Sequence, residues 1–439
     1  MSVINLCKGA LVVALLSVTG FANAGPDIQQ WETKNGARVF YVHAPELPII
    51  DLQVVFDAGS ARDGKQEGLA SLTTSLLDEG SGDLDADAIA ERFEGVGAQY
   101  GASSLRDMAV MSVRTLTEKN ALNTALDTFA KVMAKPNFPL KSFERNRKAM
   151  LVGLQVARQR PGKIASKTFF KKVYQQHPYS IDSSGSDASL EAMKRDDVVA
   201  FHKRLYVANN AVIAIVGAVS KQQAKDIAER VTKDLAPGKR VQTLAAVSKL
   251  KAAQNIRIDH ESSQTHILVG QPGMHRGDPD YFSLYVGNHI LGGGGLVSRL
   301  SDEIREKRGL VYSVYSYFSP MREDGPFTMG LQTKNESADE ALGILRKTLD
   351  AFMAKGPTAE ELKRSKQNIT GGFALRVDSN KKITQYVAMI GFYGLPLNYL
   401  DTFNQSIEAV SVKSIRDAFN RRIKPEQFVT VMVGGSVKK

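Results

Sequence analysis

The chain has 439 residues, 43% hydrophobic and 23% charged, the balance of a soluble globular protein with room for two or three domains. The formal net charge is +11, but the lysines and arginines are interspersed with acids instead of forming a basic block, which argues against nucleic-acid binding. The single cysteine, Cys7, precedes an apolar run; the chain beyond that run can form no disulfide and has no thiol nucleophile.

Residues 1–24 read as a secretory signal peptide. Lys8 gives a positive start, 9–21 is apolar, and Ala22-Asn23-Ala24 is a small-x-small cleavage site. The run is too short to span a bilayer, and no later stretch is long and apolar enough to do so. The expectation is an exported protein, best suited to a periplasm.

The spacing then predicts a strand, a turn at Gly36 and a second strand over 31–41, a longer apolar strand over 49–58 and a polar loop over 59–64. Helices are expected at 68–77 and 86–96, a strand pair at 98–103 and 108–116, and amphipathic helices at 120–133 and 140–159. Pro161 suits the first turn of the next helix. A helix at 196–206 and a buried strand at 211–216, ending at Gly217, close the first half.

The second half repeats this order. The stretch from Thr115, strand end, helix, proline-containing break and charged helix, matches the stretch from Gln332. The stretch from His177 matches that from Leu395, and both end in Val-Gly, at Val216-Gly217 and Val433-Gly434. A period this long is a tandem duplication and not a solenoid. The expected fold is α+β: two similar layered domains at 25–235 and 252–439, joined by a linker at 236–251, each large enough for its own core.

One stretch of the second half stands out: GGGGLVSRLSDEIREKRGLVYSVYSYF, residues 292–318. Four glycines suit a tight turn with close backbone approach. Leu296, Leu300 and Ile304 recur every four residues, as on one helix face. Gly309 ends that helix, and the β-branched and aromatic residues from Val311 predict a strand. Arg305 and Tyr312 place a donor fork and a hydroxyl seven residues apart.

A duplicated α+β chain with this stretch in its second half resembles the pitrilysin/insulinase (inverzincin) family of zinc peptidases over essentially all of residues 25–439. The resemblance implies that Arg305 and Tyr312 hold substrate backbone near a scissile bond. It also implies a metal site on an inverted H-x-x-E-H helix in the first domain. Within VVFDAGSARDGKQEGLASLTTSLLDEGSG this chain has Ser71, Thr74 and Ser75 at the positions of the two histidines and the glutamate. A third ligand, a glutamate on the 140–159 helix, falls at Gly153, and Asn146 stands where active members carry another glutamate. The seven histidines, at 43, 177, 202, 260, 266, 275 and 289, include no pair three or four apart, so no helix offers a two-histidine zinc face. A G-x-S-x-G nucleophile elbow is absent, and Leu296 and Val297 stand where a phosphate loop would need Lys and Ser/Thr.

The chain therefore resembles the zinc-less subunit of two-chain processing-peptidase-like members. The expected function is a non-catalytic subunit that binds extended peptide and completes the active site of a zinc-binding partner of the same family. It would have no cofactor of its own, with zinc in the partner. Two other readings stay open: a non-proteolytic scaffold or peptide-binding protein of this fold, and a self-sufficient peptidase, which would have to bind zinc itself.

Overall fold

The structure is a computed structural model that describes residues 25–435; the expected leader at 1–24 lies outside them. In the first half, alternating and continuous apolar runs form β1 (Gln29–Glu32), β2 (Arg38–His43) and β3 (Ile49–Phe56). Then come α1 (Leu69–Ser75), the short pair β4 (Gly80–Ser81) and β5 (Leu84–Asp85), and α2 (Ala86–Glu94). β6 (Gln99–Ser104) and β7 (Ala109–Leu116) precede α3 (Lys119–Ala134), α4 (Leu140–Arg158) and α5 (Pro161–Tyr174). Pro161 is the first residue of α5, where its missing N–H costs nothing. α6 (Asp187–Ala192), α7 (Arg195–Leu205), the fully buried β8 (Ala211–Gly217) and α8 (Lys221–Thr232) complete this half.

The second half contains β9 (Gln254–Ile258), β10 (Gln264–Met274), α9 (Tyr281–Asn288), β11 (Val311–Phe318) and β12 (Gly325–Lys334). It ends with α10 (Ala338–Lys355), α11 (Ala359–Gly371), α12 (Asn380–Tyr393), α13 (Tyr399–Glu408), α14 (Val412–Arg422) and β13 (Val429–Val433). Residues 236–249 between the halves carry no helix or strand.

The duplication is visible in the pairing. The first sheet has the order β1-β2-β8-β3-β7-β6 and the second β11-β12-β10-β13-β9. Reversed, the second matches the first strand for strand, with β1 the one addition. In each sheet the strand ending in Val-Gly pairs parallel on one side and antiparallel on the other. The two terminal glycines do the same job. A Cβ at Gly217 would lie 2.4 Å from the Ile49 carbonyl oxygen, and one at Gly434 would lie 2.6 Å from Thr265 Cα.

One face of each sheet packs on helices of its own half. The other face does not. α5 lies across β10 and β13 of the second sheet, and α12 lies across β8, β3 and β2 of the first. Phe169 and Val173 of α5 pack with Val429, Val431 and Val433, while Val387, Ile390 and Phe392 of α12 pack with Phe40, Val55 and Val212. Gly391 is required there, since a Cβ would meet the Phe40 ring at 2.5 Å. Each half thus buries one core alone and its second core only with a helix lent by the other.

Asp107, 5% exposed, ties the halves together. Its Oδ1 accepts from the Tyr179 hydroxyl (2.5 Å), and its Oδ2 accepts from the Arg322 backbone N–H (2.7 Å) and the Tyr393 hydroxyl (3.0 Å). Burial first, and the Asp107 charge second, push both phenols well above the ordinary tyrosine range, so both stay donors. Among the described residues no helix is long and apolar enough to cross a membrane.

Candidate functional site: a cavity on α1 and α4, and an Arg–Tyr pair at a sheet edge

α1 opens at Gly68, whose left-handed φ of 93° suits glycine. Asp63 fixes this start by accepting from the Gly68 and Ala70 N–H groups, both at 2.8 Å. Ser71 and Ser75 are one turn apart, so both reach the same side of the helix. On α4, Asn146, Met150, Gly153 and Ala157 recur at helical spacing and form the opposing face. A cavity of about 690 Å³ lies between them, lined by Ser71, Ser75, Asn146, Met150 and Gly153, and further along by Val156, Arg160, Lys163, Ser183 and Ser184.

The positions singled out in sequence are therefore together in space, with Thr74 the exception. Thr74 is buried; its hydroxyl donates to the Ala70 carbonyl (2.9 Å) and lies 3.0 Å from the Tyr206 hydroxyl, away from the cavity lining. The remaining donor set does not fit a zinc ion. Ser71 Oγ donates to the Ser183 carbonyl (2.7 Å) and Ser75 Oγ to the Leu72 carbonyl (3.0 Å). Gly153 offers no side chain. Asn146 donates to Glu79 (3.2 Å) and to the Ser142 carbonyl (3.0 Å). Burial works to raise the Glu79 pKa, but its bonds to Arg145, Ser142 and Asn146 outweigh it and hold the carboxyl below the usual range. Zinc takes imidazole, thiolate or carboxylate, and among the described residues none lines this cavity.

Sequence reasoning missed one cluster with ligand chemistry, His275, Asp278 and Asp324, whose donor atoms lie within 4.8 Å of one another. Arg422 Nη2 sits 2.7 Å from Asp278, and Arg422 Nε lies 2.9 Å from Asp280, so these charges are already compensated. The His-x-x-Asp spacing at 275–278 was its only signal.

The glycine stretch behaves partly as expected. A Cβ at Gly292 would come 2.5 Å from Ser316 Oγ, the close approach that glycine permits, and Gly295 has a left-handed φ of 65°. The helix after it is a correction. It begins at Arg299, past the turn at 295–297, and from Ser301 to Glu306 it is wound as a wide π-turn, with the Lys307 N–H donating to the Asp302 carbonyl at 3.0 Å. Leu300 and Ile304 are buried, but Leu296 is 61% exposed, because the turn at 295–297 breaks the expected register. π-turns recur at functional positions.

Arg299 clamps this segment to α10 and α11. Its fork donates to both Glu361 oxygens at 2.7 Å and to the Gly356 carbonyl at 3.1 Å, over the Phe352 ring. Burial alone would raise the Glu361 pKa; Arg299 and the Thr358 N–H outweigh it and bring it down to about 2. A depressed carboxyl stabilises above its unfolded pKa of 4.5 and loses that contribution as pH falls toward 2. Glu361→Gln is expected to cost ~1 kcal/mol at neutral pH, discounted because water still screens the pair. Urea titrations at pH 7, 4 and 2.5 should show that difference shrink as pH falls; a constant difference would contradict it.

Arg305 and Tyr312 do meet. The guanidinium carbon lies 5.4 Å from the ring centroid, a cation–π contact. β11 is an edge strand, and its register with β12 shifts between Val311 and Val314, so a bulge aims Tyr312 outward, 87% exposed. Arg305 is partly compensated by Glu306, with Nε 3.5 Å from Oε1. Neither residue lines the α1–α4 cavity.

The Insulinase (Peptidase family M16) profile matches residues 38–185, and the Peptidase M16 inactive domain profile matches 192–369. A crystal structure described as a peptidase M16 inactive domain from Pseudomonas fluorescens shares 39% identity, with a TM-score of 0.91, over 93% of this chain and 98% of that one. The chain belongs to the M16 (insulinase) peptidase family. A non-peptidase homolog of Helicobacter pylori is 25% identical over 93% of this chain and 94% of its own length. A zinc protease of Bacillus subtilis, described as uncharacterized, is 24% identical over 82% and 87%. With serine, serine and glycine at the ligand positions, this is a non-catalytic M16 member.

Proposed function

We propose that this M16 chain is the substrate-holding subunit of a two-chain zinc peptidase and that it acts after export, in the periplasm. The observation that carries the reading is the contrast between its two sites. The α1–α4 cavity keeps the family framework without a ligand set, while the Arg305–Tyr312 pair is intact and exposed on a bulged edge strand.

In this reading a partner of the same family holds zinc, which supplies the attacking water. This chain's own groups hold the peptide. The edges of β6 and β11 carry unpaired backbone groups that accept an extended segment by strand addition. Arg305 and the Tyr312 hydroxyl donate to the carbonyl under attack, where charge grows. A donor aimed at a developing oxyanion is worth ~3 kcal/mol.

The test uses purified chain mixed with an H-x-x-E-H relative from the same cell. Arg305→Ala is expected to lower kcat of the mixture about a hundredfold, and Tyr312→Phe about tenfold, with KM little changed. Unchanged kinetics in both variants would remove their assigned role. Copurification with a non-proteolytic assembly, and no effect on any peptidase, would favour the scaffold reading.

A further inference from the structure

The α1–α4 cavity not only lacks a zinc ligand set among the described residues; the charged side chains that line it are positive. Zinc sites collect carboxylates and imidazoles around a cation. Here the groups at the cavity rim are cations. Arg160 and Lys163 line it, both exposed, and among the described residues neither has a carboxylate within 4 Å. A second cavity of about 420 Å³ continues from the first, sharing Ala157, Lys163, Ser183 and Ser184, and it adds Arg106, Arg158 and Lys167. Arg158 is paired with Asp187, and Lys167 with Asp182 at 3.2 Å. Arg106 makes no ion pair within 4 Å among the described residues, but the charges of Asp182 and Asp107 act on it; it donates to the Ile181 carbonyl (2.7 Å) and lies 4.0 Å above the Phe170 ring. Arg160 and Lys163, neither with an ion-pair partner among the described residues, thus face a cavity whose lining at Met150, Gly153 and Val156 is apolar or bare, and Lys163 also borders the second cavity, which holds Arg106.

We propose that this cavity is a carboxylate-binding site and that the peptide taken by this chain presents an acidic group to Arg160 and Lys163. The inference rests on the peptide-holding reading above and names its substrate class. An arginine fork matches a carboxylate in two parallel bonds, and lysine adds a point charge. Apolar surface beside them gives the peptide's stem something to pack on, and because both cations are exposed the attraction is screened by salt. The four serines would tolerate an oxygen-rich group, whereas the open space above Gly153, where a Cβ meets nothing within 4 Å, leaves room for its stem.

Isothermal titration of the purified full chain, with no partner present, tests this separately from proteolysis. Four versions of one extended peptide are compared: glutamate-containing free acid, the same peptide amidated, its Glu→Gln form, and the form with both changes. The acidic peptide is expected to bind about tenfold or more tightly than the doubly neutral one, with the gap narrowing as salt rises. Loss on amidation alone assigns the site to a C-terminal carboxylate; loss on Glu→Gln alone assigns it to a side chain. Arg160→Gln with Lys163→Gln should abolish the discrimination, so that the acidic and neutral peptides bind alike, while leaving the thermal midpoint unchanged, since both residues are exposed. Equal affinity for all four peptides, no measurable binding, or discrimination that survives the double variant would overturn the proposal. A partner assay that still responds to Arg305→Ala after such a result would leave the holding role standing and remove only the acidic preference.

Discussion

Ser71→His, Ser75→His and Gly153→Glu together are expected to turn this chain into a zinc protein. Residues 71 and 75 share one side of α1 and open into the same cavity as Gly153. Two histidines at i and i+4 with a glutamate from a facing helix form a known three-ligand zinc set. The site has room, because a Cβ at Gly153 meets nothing within 4 Å, and both serines give up only single bonds to backbone carbonyls. Replacing an exposed mid-helix glycine also favours α4 by ~1 kcal/mol of helix propensity. Metal analysis after desalting should find about one zinc per variant chain, against none retained by the native one. The variant is expected to remain inactive. Thr74 stands where the general base would have to be and faces Tyr206 instead, so restored metal alone lacks a proton acceptor. A folded variant that retains no zinc would mean that the framework, and not only the ligands, has diverged.

Asp107→Ala is expected to be the most damaging single change to the fold. It removes the acceptor of two buried phenols and one backbone N–H, and each lost partner leaves a desolvated donor. The expected loss is about 3–5 kcal/mol, the range for breaking a buried charged network. Tyr393→Phe, which deletes one donor and leaves the acid otherwise bonded, should cost only ~1 kcal/mol. Because Tyr179 belongs to the first half and Arg322 and Tyr393 to the second, Asp107→Ala should also expose the junction to limited proteolysis before global unfolding. A stability within about 1 kcal/mol of the native value would show that the exchanged helices alone hold the halves together.

Much of this architecture was readable from residue order. The Val-Gly strand ends, the amphipathic helix expected at 120–133 and found at Lys119–Ala134, its counterpart expected after Gln332 and found at Ala338–Lys355, and Pro161 as a helix start all follow the patterns. β10 did not announce itself. Gly270, Pro272 and Gly273 interrupt its apolar run, yet Gly270 is there because a Cβ would lie 2.0 Å from the Phe327 carbonyl oxygen, and Pro272 sits where the pairing with β12 shifts. The exchange of α5 and α12 was invisible for a different reason. An apolar helix face records that it is buried, not which sheet buries it. The cavity is an intermediate case. Ser71, Ser75 and Gly153 were identified by what they replace, but Arg160 and Lys163 are ordinary surface residues in sequence and gain meaning only because the start of α5 sets them beside α1 and α4 at the same cavity. At 296–306 helical spacing was real for Leu300 and Ile304 and accidental for Leu296, because the chain turns at Gly295.

The most direct measurement is peptide turnover by an H-x-x-E-H relative, alone and titrated with this chain, beside this chain alone. The expected result is no cleavage by this chain at any zinc concentration, and a rise in the relative's kcat/KM that saturates at a fixed ratio of the two chains. Cleavage by this chain in isolation, or a relative whose turnover is the same with and without it, would contradict a role as the holding subunit.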